Sequence, residues 1–201
     1  LRPGASLGDS SAGVFAGMAI VSALFHRERN GQGQYIDISM LDCQVTMMEN
    51  AFSRYFATDR VPGPLGSRHP AAAPFQAFQA SDGHFVVALL TDREETWVRF
   101  CDAIGVPDLD KDRRFRDNQG RMTHYDALNS TLQTVFLDKP VAFWLDVLSR
   151  ADLPCGPVND MSSVTSDPQV RHRGMVATIP HKTLGTWRVA NTPFKFVHGD
   201  T

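Results

Sequence analysis

The sequence predicts an α/β protein built in two parts. Three observations carry that reading: a helix, glycine turn, strand, helix order over residues 9–57, a proline- and glycine-rich stretch at 58–74, and an Asp-Gly hairpin signal followed by amphipathic helices beyond it.

Residues 9–29 read as the first helix, since Val14, Met18, Val21 and Phe25 recur at spacings of three and four. Asp9, Ser10 or Ser11 is placed to cap its start. Gly13 and Gly17, with Ala12 and Ala16, give it a small-residue face that another backbone or a flat ligand can approach closely. It ends in charge at Arg27-Glu28-Arg29, and Asn30-Gly31-Gln32-Gly33 is a turn. Gln34 to Ser39 alternates polar and apolar, which is a short strand by period. A second helix is expected from about Met40 into the Arg54–Ala57 region.

Val61-Pro62-Gly63-Pro64-Leu65-Gly66, His69-Pro70 and the triple Ala before Pro74 make 58–74 an extended linker and a domain boundary. Phe75 to Ala80 and His84 to Leu90 then read as two strands around Ser81-Asp82-Gly83. Helices are expected at about 93–104, 121–137 and 140–150. Leu128, Leu132, Val135 and Phe136 form the apolar stripe of the second; Pro140 opens the third, with Val141, Trp144, Leu145 and Leu148 facing inward. The run Leu153-Pro154-Cys155-Gly156-Pro157-Val158 reads as a loop stiffened by two prolines. A short helix near 160–166 and β-like pieces near 174–179 and 186–190 complete a second unit of α+β type.

Bulk properties narrow the function classes. Hydrophobic residues make up 42% of the 201 and charged residues 21%, the composition of an ordinary globular protein. A net charge of −2 with mixed signs gives no electrostatic case for a nucleic-acid or membrane-surface partner. The cluster Lys111-Asp112-Arg113-Arg114 reads as a solvated loop. No apolar run approaches a membrane span, because the longest, Val14 to Phe25, is diluted with Gly, Ala and Ser. The start has no basic leader before a hydrophobic stretch, so it is not read as a signal peptide. Cys43, Cys101 and Cys155 lie far apart with no C-x-x-C pair, which argues against a disulfide framework or a zinc site and for a reducing cytoplasm. The first residue is Leu1 and Arg2-Pro3-Gly4 reads as mid-loop, so the chain is expected to begin inside a longer protein.

Asp9 is the residue most suited to chemistry. It follows Gly8 and precedes two serines at a helix start. One reading is an N-cap. The other uses the same geometry: a carboxylate beside unpaired helix N–H groups is held ionised and oriented as a nucleophile must be. Gly8 and Gly13 leave room for a bulky substrate, and nearby backbone amides can steady an oxyanion. Spacing alone leaves both open. For Met40, spacing alone favours a core methionine.

Other reactive side chains carry less. His26, His84, His124, His172, His181 and His198 show no metal-ligand spacing, and no metal is expected. His69 in Arg68-His69-Pro70 reads as positioning the linker. Cys155 has no adjacent base and reads as a small hydrophobe. Trp97, Trp144 and Trp187 read as core.

The run Leu7 to Met40, with Gly8-Asp9-Ser10, the Ala/Gly-rich helix, Ala23-Leu24 followed by Arg27, Asn30-Gly31-Gln32-Gly33-Gln34 and Ile36-Asp37-Ile38-Ser39-Met40, resembles the family III CoA-transferases. That family includes formyl-CoA transferase and carnitine CoA-transferase, and alpha-methylacyl-CoA racemase shares its fold. The likeness continues through Ala73-Pro74-Phe75, Ser81-Asp82-Gly83, Trp97, Phe100-Cys101, Arg121, Pro154-Cys155-Gly156-Pro157-Val158, Asp167-Pro168-Gln169 and Pro193-Phe194-Lys195-Phe196.

The resemblance implies that 1–57 is part of a Rossmann-like large, CoA-binding domain. It implies that 58–74 is the linker, 75–190 the small α+β domain and 191–201 a return strand towards the large one. Asp9 matches the nucleophile that attacks the donor thioester and passes through an aspartyl-CoA thioester, and Met40 matches a residue lining the CoA site. The implied substrates are an acyl-CoA and a carboxylic acid acceptor, and the implied assembly is an interlocked homodimer. Family members carry a nucleotide-fold half upstream of the Gly-Asp motif, so the resemblance also implies a fragment. The glycine-rich acceptor-side loop of formyl-CoA transferase has no counterpart between Ala80 and Thr96, so oxalate or formate is not expected as acceptor. Two other readings stand beside transfer: a 2-methylacyl-CoA racemase or epimerase with Asp9 as general acid/base, and an inactive interaction module.

Overall fold

The computed structural model describes residues 4–90, 94–183 and 185–196. Helices and strands mix along the chain, as an α/β protein requires, and the chain divides into two compact units, Leu1–Pro64 and Leu65–Thr201.

In the first unit, helix α1 (Leu7–Asn30) begins earlier than periodicity predicts, with Ser6 at its N-cap. Asp9 is therefore not the cap but lies inside the first turn. The other end behaves as its glycine dictates: Gly31 takes φ +70° and its N–H reaches the Arg27 carbonyl at 2.8 Å. Residues 34–39 do not form the expected strand. Alternation sets which face a strand presents, but a strand exists only against a neighbour, and among the described residues this stretch has none. The expected second helix is two, α2 (Met40–Met47) and α3 (Glu49–Thr58), interrupted at Met48. Ser39 caps α2, its Oγ accepting from the Asp42 N–H at 3.3 Å.

The predicted stripe of α1 is not buried within the described residues: Val14, Met18, Val21 and Phe25 are all more than half exposed. At 24 residues α1 is also long and apolar enough to cross a membrane, by length and composition only. The sequence expectation that no run reaches that length is corrected here. Gly, Ala and Ser dilute the run without adding charge, and Ser10 to Phe25 carries none.

The second unit is organised around a three-stranded antiparallel sheet in the order β1 (Phe75–Gln79), β2 (His84–Ala88), β3 (Cys155–Pro157). The hairpin register runs from Phe75 opposite Ala88 to Gln79 opposite His84. The run 153–158, expected as a loop, supplies β3, with Gly156 opposite Val86. Its two prolines hide the strand from pattern reading, yet Pro154 precedes it and Pro157 closes it at a position where no ladder donor is needed.

Helices α4 (Glu94–Ala103) and α7 (Val141–Arg150) fall where periodicity puts them. The helix expected over 121–137 divides at His124 into α5 (Asn118–Thr123) and α6 (Tyr125–Phe136). Phe78, Phe85, Phe100, Phe136, Leu128, Leu132, Leu148, Trp97 and Trp144 form the core. Phe136 sits at its centre, edge-on to Phe85 at 5.0 Å and to Trp144 at 5.1 Å. The Trp144 indole N–H donates to the Phe136 carbonyl at 2.9 Å, so its one polar atom is satisfied. The start of α7 is held from the hairpin tip, where the Asp82 carboxylate accepts from the Val141 N–H at 2.8 Å.

Two short helices, α8 (Met161–Ser166) and α9 (Pro168–His172), lead to an antiparallel pair, β4 (Val176–His181) and β5 (Gly185–Ala190). Trp187, expected in a core, is 51% exposed on this two-stranded hairpin. Residues 191–196 are not in a strand. The remainder of the expected return strand, 197–201, and His198 lie outside the described residues.

Candidate active site

Asp9 occupies the third position of α1, exposed to solvent. The first bond of the helix ladder is from the Ser10 N–H to the Ser6 carbonyl at 2.9 Å, and Leu7 donates to Ala5 at 3.0 Å. The N–H groups of Gly8 and Asp9 have no partner among the described residues, and neither does the Asp9 carboxylate. The carboxylate thus sits at the positive end of the helix dipole beside two uncommitted donors.

Helix α2 meets that turn. A Cβ placed on Gly8 would lie 3.3 Å from the Gln44 amide nitrogen, so the glycine makes room for α2. The same Gln44 nitrogen donates to the Met40 carbonyl one turn earlier, at 3.4 Å. Gln44 therefore touches both the glycine next to Asp9 and the residue expected at the CoA site. Sequence reasoning missed it; its only signal is the four-residue offset from Met40. Met40 itself, at 54% exposure on the first position of α2, is not a core methionine. A cleft of about 140 Å³ opens nearby between Phe15 of α1, Ile38 and Ser39 of the extended stretch, and Cys43 of α2. Neither Asp9 nor Met40 lines it.

The remaining candidates take structural places. His69 stacks on Phe75 with ring centres 4.7 Å apart, and its Nδ1 accepts from the Ala71 N–H at 3.2 Å. Cys155 faces the Ser149 hydroxyl at 3.7 Å, not a base. Cys101 is buried, and that burial pushes its thiol up to about 12. In the basic cluster, Lys111 pairs with Asp108 and Arg114 with Asp112, each at 2.7 Å. The Arg114 guanidinium holds the Asp112 carboxyl down to about 2. Arg121 is buried and bonded to the Ala73 and Phe115 carbonyls, with its guanidinium over the Trp97 ring. Among the described residues no group of three or more His, Cys, Asp or Glu is placed to hold a metal ion.

With an exposed carboxylate in the first turn of a small-residue helix, and a packed α+β unit after an extended stretch, the comparison with known proteins becomes specific. All of the chain, residues 1–201, matches CoA-transferase family III, and the chain belongs to that family. It is 40% identical over 173 residues to an acetyl-CoA:oxalate CoA-transferase of Acetobacter aceti, covering 86% of this chain and 44% of that protein. It is 31% identical over 185 residues to the succinyl-CoA:glutarate CoA-transferase of Mus musculus, covering 92% of this chain and 42% of that one. The structure superposes on a CAIB/BAIF family protein from Brucella suis with a TM-score of 0.81 and 31% identity, over 100% of this chain and 51% of that one. The chain thus spans about half the length of the relatives it matches.

Proposed function

We propose that the whole protein transfers coenzyme A between carboxylic acids, with Asp9 as the acyl-accepting carboxylate. The observation that carries this is the placement of Asp9: exposed, without a side-chain partner among the described residues, and beside the free Gly8 and Asp9 amides in a chain of family III.

The chemistry follows from a carboxylate nucleophile. A carboxylate oxygen of Asp9 attacks the donor thioester carbonyl and CoA leaves as the thiolate, giving a mixed anhydride. The thiolate then attacks the Asp9 carbonyl of that anhydride, releasing the donor acid and leaving an aspartyl-CoA thioester. The acceptor carboxylate attacks this thioester, the thiolate leaves again, and it returns to the acceptor's carbonyl, freeing Asp9. Each tetrahedral stage places negative charge on oxygen, which donors at the helix start are suited to stabilise. Met40, exposed at the head of α2, is proposed to contact the CoA moiety.

The relatives named for oxalate and glutarate both point to small dicarboxylic acids as acceptors. We include oxalate among them despite the expectation drawn from the missing glycine-rich loop. The proposal extends to an interlocked homodimer, for which the exposed apolar stripe of α1 supplies surface to bury, and to a cytoplasmic setting, which the three free cysteines fit.

Incubating the full-length protein with a short-chain acyl-CoA tests the reading. A CoA adduct on the peptide containing Asp9, released by hydroxylamine, supports it. Full transfer activity in Asp9→Ala, or solvent deuterium entering the carbon beside the thioester with no acceptor present, overturns it in favour of another mechanism.

A further inference from the structure

Every second residue of an antiparallel edge strand turns its N–H and C=O away from its partner, and an unused row of such groups invites another strand. β1 is the outer strand of the three-stranded sheet. Leu89 N–H donates to the Pro74 carbonyl at 3.0 Å and Ala80 N–H to the Gly83 carbonyl at 2.8 Å, which fixes the phase. Gln76 and Phe78 therefore bond towards β2, while Phe75, Ala77 and Gln79 present their backbone outward.

Four of those six outward groups are met from within the chain. The Phe75 carbonyl accepts from the His69 N–H at 2.8 Å. The Ala77 N–H donates to the Ser67 hydroxyl at 3.3 Å. Gln79 is engaged twice by one side chain: its N–H donates to Gln133 Oε1 at 3.1 Å and its carbonyl accepts from Gln133 Nε2 at 2.8 Å. The Gln133 amide stands where the peptide group of a neighbouring strand would stand. One helical turn earlier on α6, Asn129 accepts from the Gln76 side chain, whose oxygen in turn accepts from the Tyr125 hydroxyl, so the helix is held in register with β1. The stacked His69 and Phe75 rings pin the other end. The far edge, β3, is three residues long, bounded by Pro154 and closed by Pro157.

We propose that Ser67–His69 and Gln133 form a built-in edge guard. The first is a strap and the second a side-chain surrogate strand, and together they close β1 to strand addition from another chain, a second copy of this one included.

Amide hydrogen exchange on the full chain tests the guard residue by residue. In Gln133→Leu, exchange at the Gln79 amide should quicken by roughly 10-fold, the loss of about one hydrogen bond, while Phe85 and Val87, which bond across to β1, keep their rates. Gln133→Glu retains an acceptor and should keep most of the Gln79 protection. Ser67→Ala should quicken Ala77, and Ser67→Thr should not. In the double variant Ser67→Ala/Gln133→Leu, protection at Gln79 should return as protein concentration rises, because the bared edge pairs between copies. Unchanged exchange at Gln79 in Gln133→Leu, a uniform rise across all sheet amides, or no concentration dependence in the double variant would each overturn the proposal.

Discussion

The Arg121 guanidinium donates from Nε to the Ala73 carbonyl at 2.7 Å, joining α5 to the segment that leads into β1. Asn118, one turn earlier, grips the same segment, donating to the Ala71 carbonyl at 2.8 Å and accepting from the Ala73 N–H at 3.0 Å. Arg121 is 3% exposed, so its loss strands buried carbonyls. Arg121→Met should destabilise the second unit by about 3 kcal/mol, as expected for losing buried charge-assisted bonds. Arg121→Lys should recover only part, since a single ammonium cannot reproduce the planar fork. Urea unfolding followed by circular dichroism measures both.

Gly120 allows the close approach of α5 to the preceding loop. A Cβ there would lie 2.5 Å from the Arg114 carbonyl oxygen, closer than contact distances permit. Gly120→Ala should therefore cost roughly 1–3 kcal/mol despite the better helix propensity of Ala. A thermal midpoint equal to that of the parent would show that the loop yields freely.

Cys101 titrates out of reach in the folded state. Its ordinary value of 9.0 rises to about 12 because burial penalises the thiolate, so folding favours the neutral thiol. The sign follows: this contribution to stability is complete below about pH 9 and is lost as pH rises towards 12. Cys101→Ala should flatten that part of the alkaline stability curve. Mass spectrometry of native protein exposed to iodoacetamide at pH 8 should find Cys101 unmodified until the chain is unfolded.

The role proposed for Asp9 predicts that its loss affects chemistry and not the fold. It has no side-chain partner among the described residues, so Asp9→Asn should lose only its interaction with the helix start, about 0.5 kcal/mol. In the full-length protein the same change should reduce CoA transfer by roughly 1,000-fold or more, the scale seen when a covalent nucleophile is removed. Parallel melting curves and transfer assays distinguish this from a folding defect.

What could be read from sequence was whatever is local. The stripes of α6 and α7 and the Asp-Gly hairpin depend on neighbours a few residues apart, and Leu128, Leu132, Trp144 and Leu148 are buried where periodicity puts them. Pairings between distant segments were not legible. Cys155–Pro157 becomes a strand only because β2 lies beside it, and Gln34–Ser39 has no such neighbour among the described residues. The motif singles out Asp9 as the candidate, but spacing could not separate the cap from the third helical position, which differ by a fraction of a turn. Gln44 was invisible, because an exposed glutamine gains meaning only from the glycine it lies against.

The three indoles sit in contrasting surroundings. Trp97 and Trp144 are sealed in the second unit's core, while Trp187 stands in water on β5. The intrinsic emission of this chain is therefore a composite, a blue-shifted component shielded from acrylamide and a red-shifted one open to it. A partner seated over Trp187 on β4 and β5 would announce itself in the second component alone, without any label.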